Sequence, residues 1–485
     1  MSSFTLLRLL TVLAVGGLLI YSFYHTSRLE RREEPGRERR YAPYGNPWLL
    51  PAFLAALTAA AAVTVPPDIF LPNLLNVIFM MFLHLSGYIL LLLLVLPLLR
   101  RRLSASVCAM LWLVPNYVYL LQYDVLQPDR PLVVLTVAPQ ILYGLGLLWA
   151  AGFAAVLGWK LLSHLRFRRR ILGLACPVTE PEILALWAAE WQRANLKRKA
   201  GAFPLLRSPA VRTPLSIGFF PKSIRVILPD RAYTREELAL ILRHELIHIS
   251  REDCGFKFFM VFCTALCWFN PLVWLAMSKS ADDMELSCDE SVLLEADAAV
   301  RQTYARLLLT TAGEQQGFTT CLSVSARALR YRLRAAAKPR PRRTGGIVAG
   351  ILFCAFALTY GSVSLALTPT TGAAAFFGDQ PETFSVSFVA DYSEDLDLRR
   401  CTDEAALLDY LSALEVQRVL GYHRYGDHSD ADYGVICFGR NGSVALSLRD
   451  EAVRVTPYPE LRDEERVTYR CVTPIDWSYV ESLLE

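Results

Sequence analysis

Six apolar blocks, near positions 4 to 24, 48 to 65, 74 to 98, 105 to 121, 133 to 160 and 345 to 367, constrain this chain more than any other feature. A helix needs about 18 to 20 apolar residues to cross a hydrocarbon core, and only helices and closed barrels satisfy their own backbone there. With 53% of its 485 residues hydrophobic, the chain reads as a polytopic α-helical membrane protein with six spans.

Charge orients the spans, because Lys and Arg in short loops stay on the cytoplasmic side. Arg28, Arg31, Arg32, Arg37, Arg39 and Arg40 follow the first span, Arg100 to Arg102 the third, and Arg166 and Arg168 to Arg170 the fifth. The alternate loops, PPDIF near Pro66 and QYDVLQPDRP after Leu121, carry almost no positive charge. The expected organisation is therefore a membrane domain over 1–170 with five spans, a cytosolic domain over 171–343, a sixth span over 344–368, and an extracellular domain over 369–485. The N-terminus lies outside, and the first span reads as an uncleaved anchor of a multi-pass cell-membrane protein.

The net charge of +4 conceals an asymmetry. From about residue 380 the tail holds about twice as many acids as Arg and no Lys, so the cytosolic parts are basic. Topology accounts for the arginine clusters, and no nucleic-acid module is recognisable. The 11 cysteines form no CxxC pair; cytosolic thiols should be reduced. Outside, Cys401, Cys437 and Cys471 allow at most one intrachain disulfide.

The cytosolic segment opens with a helix at TEPEILALWAAEWQRANL, where Thr179 and Glu182 have capping-box spacing. Short strands broken by Pro214, Gly218 and Pro221 follow. A second capping box, Thr234 with Glu237, starts the helix TREELALILRHELIHIS. A strand just ahead of that helix suits main-chain pairing with an extended peptide.

On that helix the run HELIH places His244 and His248 on one face, four residues apart, with Glu245 beside them. Two imidazoles can ligate one zinc ion while the carboxylate acts on a water. A catalytic zinc needs a third protein ligand and an open fourth position. Glu285 in DDMELSCDE supplies the ligand, and Asp289, one turn later, can accept a hydrogen bond from a ligand imidazole, His244 being the preferred recipient. Glu245 is then the catalytic base. Tyr304 or an arginine could stabilise the oxyanion, a choice that spacing leaves open. The fold class is a mainly α cytosolic zincin, gluzincin-like, with a short strand region.

If Glu285 shares a metal with His244, the apolar segment from Gly255 to Met277 cannot be a single crossing. A helical pair broken at Asn270 and Pro271, in the domain core or dipping into the bilayer surface, is expected.

The outer tail reads as a small α+β domain: a strand carrying Phe384, Val386 and Phe388, a helix at DEAALLDYLSAL, a hairpin turning at Asn441 and Gly442, a strand over 467–471 and a short helix after Asp476. The cluster of His423 and His428 with Asp427, Asp430 and Asp432 reads as a polar loop rather than a metal or pH site. Within the third span, His84 is either functional or a neutral histidine satisfied by a neighbouring helix. Cys263 and Cys267 read as core packing. Topology and flexibility explain AAAKPRPRR, which also offers a self-cleavage site.

The succession TPLSIGFFPKSIRVILP, HELIHISREDC, WFNPLVWLA and ELSCDESVL resembles the M56 peptidases, membrane zincins typified by the BlaR and MecR antibiotic-sensing receptors. The resemblance is close over about 205 to 310 and looser around it. It implies zinc on His244, His248 and Glu285, with Glu245 catalytic. It also implies a signalling role in which an outer event triggers cytosolic proteolysis, possible self-cleavage included, and loss of a winged-helix repressor of the BlaI and MecI type. A homodimer is compatible with that role. Two features depart from the receptors: five spans precede the protease where three are usual, and no Lys follows Lys338. Their penicillin-binding sensor is acylated through SxxK, which the lysine-free tail cannot form. The alternatives are an M48-like quality-control protease and a non-proteolytic receptor that binds a regulator.

Overall fold

The computed structural model describes residues 3–31, 48–120, 128, 130–194, 203–218, 223–294, 296–312, 326–337, 345–386, 388–391, 397–421, 432–440, 442–449, 451–458 and 466–485. The loop with His423 and His428, and the basic part of the AAAKPRPRR linker, lie outside them.

The N-terminal part comprises α1 (Ser3–Arg31), α2 (Leu49–Thr64), α3 (Pro67–Leu99), α4 (Ala105–Leu111), α5 (Val114–Leu120), β1 (Val133–Val137) and α6 (Pro139–Gly173). Among the described residues three helices, α1, α3 and α6, are long and apolar enough to cross a membrane; α2 is apolar but shorter. The expected single helix at 105–121 is instead the pair α4 and α5, broken at Trp112 and Leu113. Pro115 is the physical reason: it has no N–H for the carbonyl of Leu111. The Tyr88 hydroxyl donates to that carbonyl at 2.6 Å, so the break leaves no orphan. The block expected to span 133–160 likewise begins as strand β1 before α6.

The metal-motif region contains β2 (Cys176–Pro177), α7 (Pro181–Arg193), β3 (Leu205–Ser208), β4 (Leu215–Ile217), β5 (Arg225–Pro229), α8 (Arg235–Ser250), α9 (Asp253–Leu266), α10 (Pro271–Val292), α11 (Ala298–Ala312) and α12 (Ala326–Ala337). The capping box of Thr234 and Glu237 forms, with both reciprocal bonds present. That of Thr179 and Glu182 does not. Pro181 takes the first helical position, so Glu180 becomes the N-cap and makes no side-chain cap bond.

Strand order is β2-β3-β5-β4, which leaves β4 at an edge. Leu238, Ile241, Leu242 and Leu246 of α8 pack on Trp187, Trp191 and the sheet residues Val226 and Leu228. Leu240 and Ile247 face a second core with Val292, Tyr304 and Leu308. Buried on both flanks, α8 holds its polar HELIH face toward the cleft between them.

The apolar run from Gly255 to Met277 is broken at Asn270 and Pro271, as expected. The Asn270 side chain caps α10 through the Leu272 N–H at 3.0 Å and donates to Ser86 of α3 at 2.7 Å. Ser86 lies 14 residues before Arg100, so at 1.5 Å per residue the α9–α10 tip reaches about 21 Å along α3.

The C-terminal part contains α13 (Gly346–Thr359), β6 (Val363–Leu367), β7 (Thr370–Thr371), α14 (Gly372–Phe377), β8 (Phe384–Ser385), β9 (Phe388–Asp391), β10 (Asp397–Arg400), α15 (Glu404–Ala413), β11 (Glu415–Arg418), β12 (Asp432–Gly439), β13 (Ser443–Arg449), β14 (Ala452–Tyr458), β15 (Val467–Cys471) and α16 (Trp477–Ser482). The expected sixth span is thus a helix of 14 residues that gives way to strand β6. It runs antiparallel to α1: Arg8 donates to the carbonyls of Leu358 and Tyr360, Gly16 faces Cys354, and Ile20 faces Gly350.

Beyond α13 the chain is strand-rich. An antiparallel sheet, ordered β10-β9-β12-β13-β14-β15-β11-β7, packs its apolar face on α14, α15 and α16. Cys401, Cys437 and Cys471 are all buried in that core as free thiols. Strand β6 pairs in parallel with β1, tying this sheet region to the N-terminal helices.

Helix α3 is gripped at both ends. Near its start, Asn76 donates to the Leu420 carbonyl at 2.9 Å and accepts from the Leu365 N–H at 2.8 Å, while Asn73 accepts from the Gly421 N–H at 2.9 Å. Just past its end, Arg100 pairs with Asp283 of α10. His84, between these points, is satisfied: its Nε2 lies 2.8 Å from the Phe356 carbonyl and its Nδ1 3.3 Å from the Tyr119 hydroxyl.

Candidate metal centre

Helical spacing brings the two histidines together, with His244 Nε2 and His248 Nε2 3.0 Å apart. Glu285, delivered by α10, places Oε2 3.5 Å from His244 Nε2 and Oε1 3.6 Å from His248 Nε2. Zinc bonds of about 2.0–2.1 Å would set neighbouring tetrahedral donors about 3.3 Å apart. The donor set therefore fits a small divalent cation inside this triangle.

The far nitrogens fix which atoms face it. His248 Nδ1 lies 2.6 Å from Asp253 Oδ2. His244 Nδ1 lies 3.0 Å from the Tyr304 hydroxyl, which itself donates to Asp289 Oδ1 at 2.6 Å. With both Nδ1 atoms carrying the proton, both Nε2 lone pairs point to the same place. Asp289 Oδ1 is 3.7 Å from His244 Nδ1, too far for a hydrogen bond, so Tyr304 stands between the two residues expected to touch. Arg332 of α12 holds both oxygens of Asp289, and its Nη1 lies 3.6 Å from Glu285 Oε2.

Cys288, with the two histidines, forms another set of donors close enough to hold a metal. Its sulfur, however, lies 3.3 Å from His244 Nδ1 and donates to the His244 carbonyl at 3.4 Å. It lies on the Nδ1 edge of His244 and also reaches His248, whereas Glu285 places one oxygen near each Nε2 atom. Geometry favours Glu285 as the third donor.

The site is electrostatically tight. Burial disfavours a charged His244, yet the Cys288 sulfur and the Glu285 carboxylate outweigh it and carry the pKa up to about 10. His248 is likewise raised well above its ordinary value, against burial, by Cys288, Glu285 and Asp253. Glu285 is held well below the carboxylate range because the imidazoles and Arg332 more than offset its burial.

Glu245 is buried, and its Oε2 accepts from Ser216 Oγ at 2.6 Å. Ser216 belongs to edge strand β4, so strand and base line one cleft, shared with Ile241, Leu307, Leu308 and Arg332. Motif reading brought His244, Glu245, His248, Glu285 and Asp289 to this place. It missed Ser216, Asp253 and Arg332, whose separations of 29 residues, 5 residues and 43 residues from their partners follow no helical period.

A helical region with paired histidines, a facing carboxylate and an edge strand defines a metallopeptidase-like class of site. The chain matches the family described as BlaR1 peptidase M56 over residues 127–335. Regulatory protein BlaR1 of Bacillus licheniformis is 27% identical over 184 residues, which is 38% of this chain and 30% of that relative.

Proposed function

We propose that the chain is a membrane-embedded zinc metalloendopeptidase in signal transduction. The observation that carries this is the triangle of His244 Nε2, His248 Nε2 and Glu285, with Glu245 in the same cleft. Zinc, when bound there by His244, His248 and Glu285, supplies a Lewis acid beside the scissile carbonyl and lowers the pKa of water. Glu245 takes a proton from the attacking water and later delivers one to the leaving amine. Ser216 steers one Glu245 oxygen, leaving the other for the water. Asp289 acts on His244 through Tyr304, so the Tyr304 hydroxyl is occupied and is not the oxyanion donor. Strand β4 offers main-chain groups to an extended substrate.

The membrane arrangement proposed is the multi-pass one, with the metal centre cytosolic, the N-terminus and the strand-rich tail outside, and residues 1–170, 171–343, 344–368 and 369–485 as successive domains. The paired helices support it. Leu103 at the start of the α4–α5 pair lies against Gly345, and Tyr119 at its end lies 6.1 Å from Tyr360, so the broken pair runs the full length of α13. The substrate is a cytosolic regulator, a winged-helix repressor of the BlaI and MecI type. Residues 369–485 contain no lysine, so no SxxK acylation site lies within them.

The test compares wild type with Glu245→Ala in membranes, following cleavage of a co-expressed repressor and induction of its target gene. Both should be lost in the variant. Induction that persists without Glu245 would replace the protease by a regulator-binding scaffold, and broad cleavage of misfolded membrane proteins would favour quality control.

A further inference from the structure

We propose that Asp253 is the positioning residue for His248, and that the backbone turn at Glu252 exists to deliver it. This rests on the proposed metal centre. Five residues separate Asp253 from His248, and in a continuous helix that spacing would turn position 253 about 140° away from the histidine. Instead α8 ends at Ser250, and Glu252 adopts φ 59° and ψ 38°, the left-handed region that non-glycine residues seldom occupy. The helical path is broken there, and α9 starts on Asp253. Asp253 is buried, and its Oδ2 meets His248 Nδ1 at 2.6 Å.

A carboxylate on Nδ1 fixes the tautomer, aims Nε2 and raises the basicity of a metal-binding imidazole. The two histidines are thus oriented by different means: His244 by the chain of Tyr304, Asp289 and Arg332, and His248 by a single acid presented on a left-handed turn. An acid in the first turn of α9 would also be favoured by the helix dipole alone. That role needs no histidine and predicts no effect on metal affinity.

The experiment measures the zinc dissociation constant of the full chain in detergent, by competition with a chromophoric chelator. Asp253→Ala, Asp253→Asn, Asp253→Glu and Glu252→Gly are compared with wild type, and each is also unfolded thermally in EDTA. Asp253→Ala should bind zinc about 10–100-fold more weakly. Asp253→Asn, which keeps an acceptor but loses the charge, should fall between, and Asp253→Glu should recover part of the loss. Glu252→Gly should match wild type, because glycine enters the left-handed region freely. Zinc affinity of Asp253→Ala within twofold of wild type would overturn the assignment; should that variant fail to fold, an unchanged affinity in Asp253→Asn overturns it equally. If wild type itself binds no zinc, the metal-centre reading falls, and this inference with it.

Discussion

Arg332 holds Asp289 with two charge-assisted bonds, Nε to Oδ2 at 2.6 Å and Nη2 to Oδ1 at 2.7 Å. The pair fastens α12 to α10 behind the candidate metal centre, where Asp289 is 1% exposed. Removing one member of a buried pair strands the other charge, at a cost of about 3–5 kcal/mol. Asp289→Ala should therefore lower stability by about that amount, read by denaturant unfolding in detergent. A change under about 1 kcal/mol, the worth of an exposed pair, would show that the pair is not buried in solution.

The third donor can be settled by substitution. Glu285 faces both Nε2 atoms, while Cys288 contacts the Nδ1 edge of His244. Glu285→Ala should abolish stoichiometric zinc retention after dialysis, whereas Cys288→Ser should keep it. Elemental analysis of the purified variants distinguishes them, and the reverse pattern would make Cys288 the ligand.

Local rules of sequence account for much of this site. Thr234 and Glu237 announce the start of α8, and the four-residue spacing of His244 and His248 is enough to juxtapose them. What local rules miss is set by partners distant in the chain or by unusual backbone. Pro181 shifts a helix start by claiming its first position, and Pro115 divides an apolar block whose length alone suggests one helix. Hydropathy could not show that Val133 and Val363 head a pair of strands, because an apolar run serves strand and helix alike. Asp253 reaches His248 only through a left-handed residue that no periodicity encodes.

Stability should depend on pH in opposite ways with and without zinc. In the metal-free protein the raised pKa values of His244, about 10, and His248 mean that their charged forms are stabilised by folding. That contribution is complete below the ordinary histidine value near 6.5 and is lost as pH rises toward about 10. Glu285, shifted down, contributes above its ordinary carboxylate value, and that contribution fades only as pH falls through its depressed pKa. Zinc displaces the imidazole protons, so its stabilising effect should grow with pH. Melting temperatures in EDTA and in zinc should diverge between about pH 6 and pH 9. A constant gap would argue that the histidines are already neutral in the metal-free protein.

Cys401, Cys437 and Cys471 are free and buried, so no disulfide supports the C-terminal sheet. A reductant should leave its melting temperature unchanged, and a maleimide should label these thiols only after unfolding. A reductant-induced fall in melting temperature would reveal a disulfide.

Arg100 donates to both oxygens of Asp283, at 2.6 Å and 2.7 Å, two residues before Glu285. Trp112 adds a third bond to Asp283 at 2.9 Å, and the Arg100 carbonyl accepts from Tyr331, the neighbour of Arg332. The end of α3 thus fixes the height of α10 and touches α12, the two helices that carry Glu285 and Arg332. Arg100→Gln should destabilise the protein by about 3–5 kcal/mol, since Asp283 stays buried without its charge partner. Asp283→Asn in the same chain should restore part of the loss, because a neutral pair replaces a lone charge. Zinc affinity should weaken in Arg100→Gln and recover in the double variant if α3 sets the position of Glu285. Unchanged affinity in both would confine the pair to a structural role. A zinc effect without a stability effect would contradict the burial of Asp283.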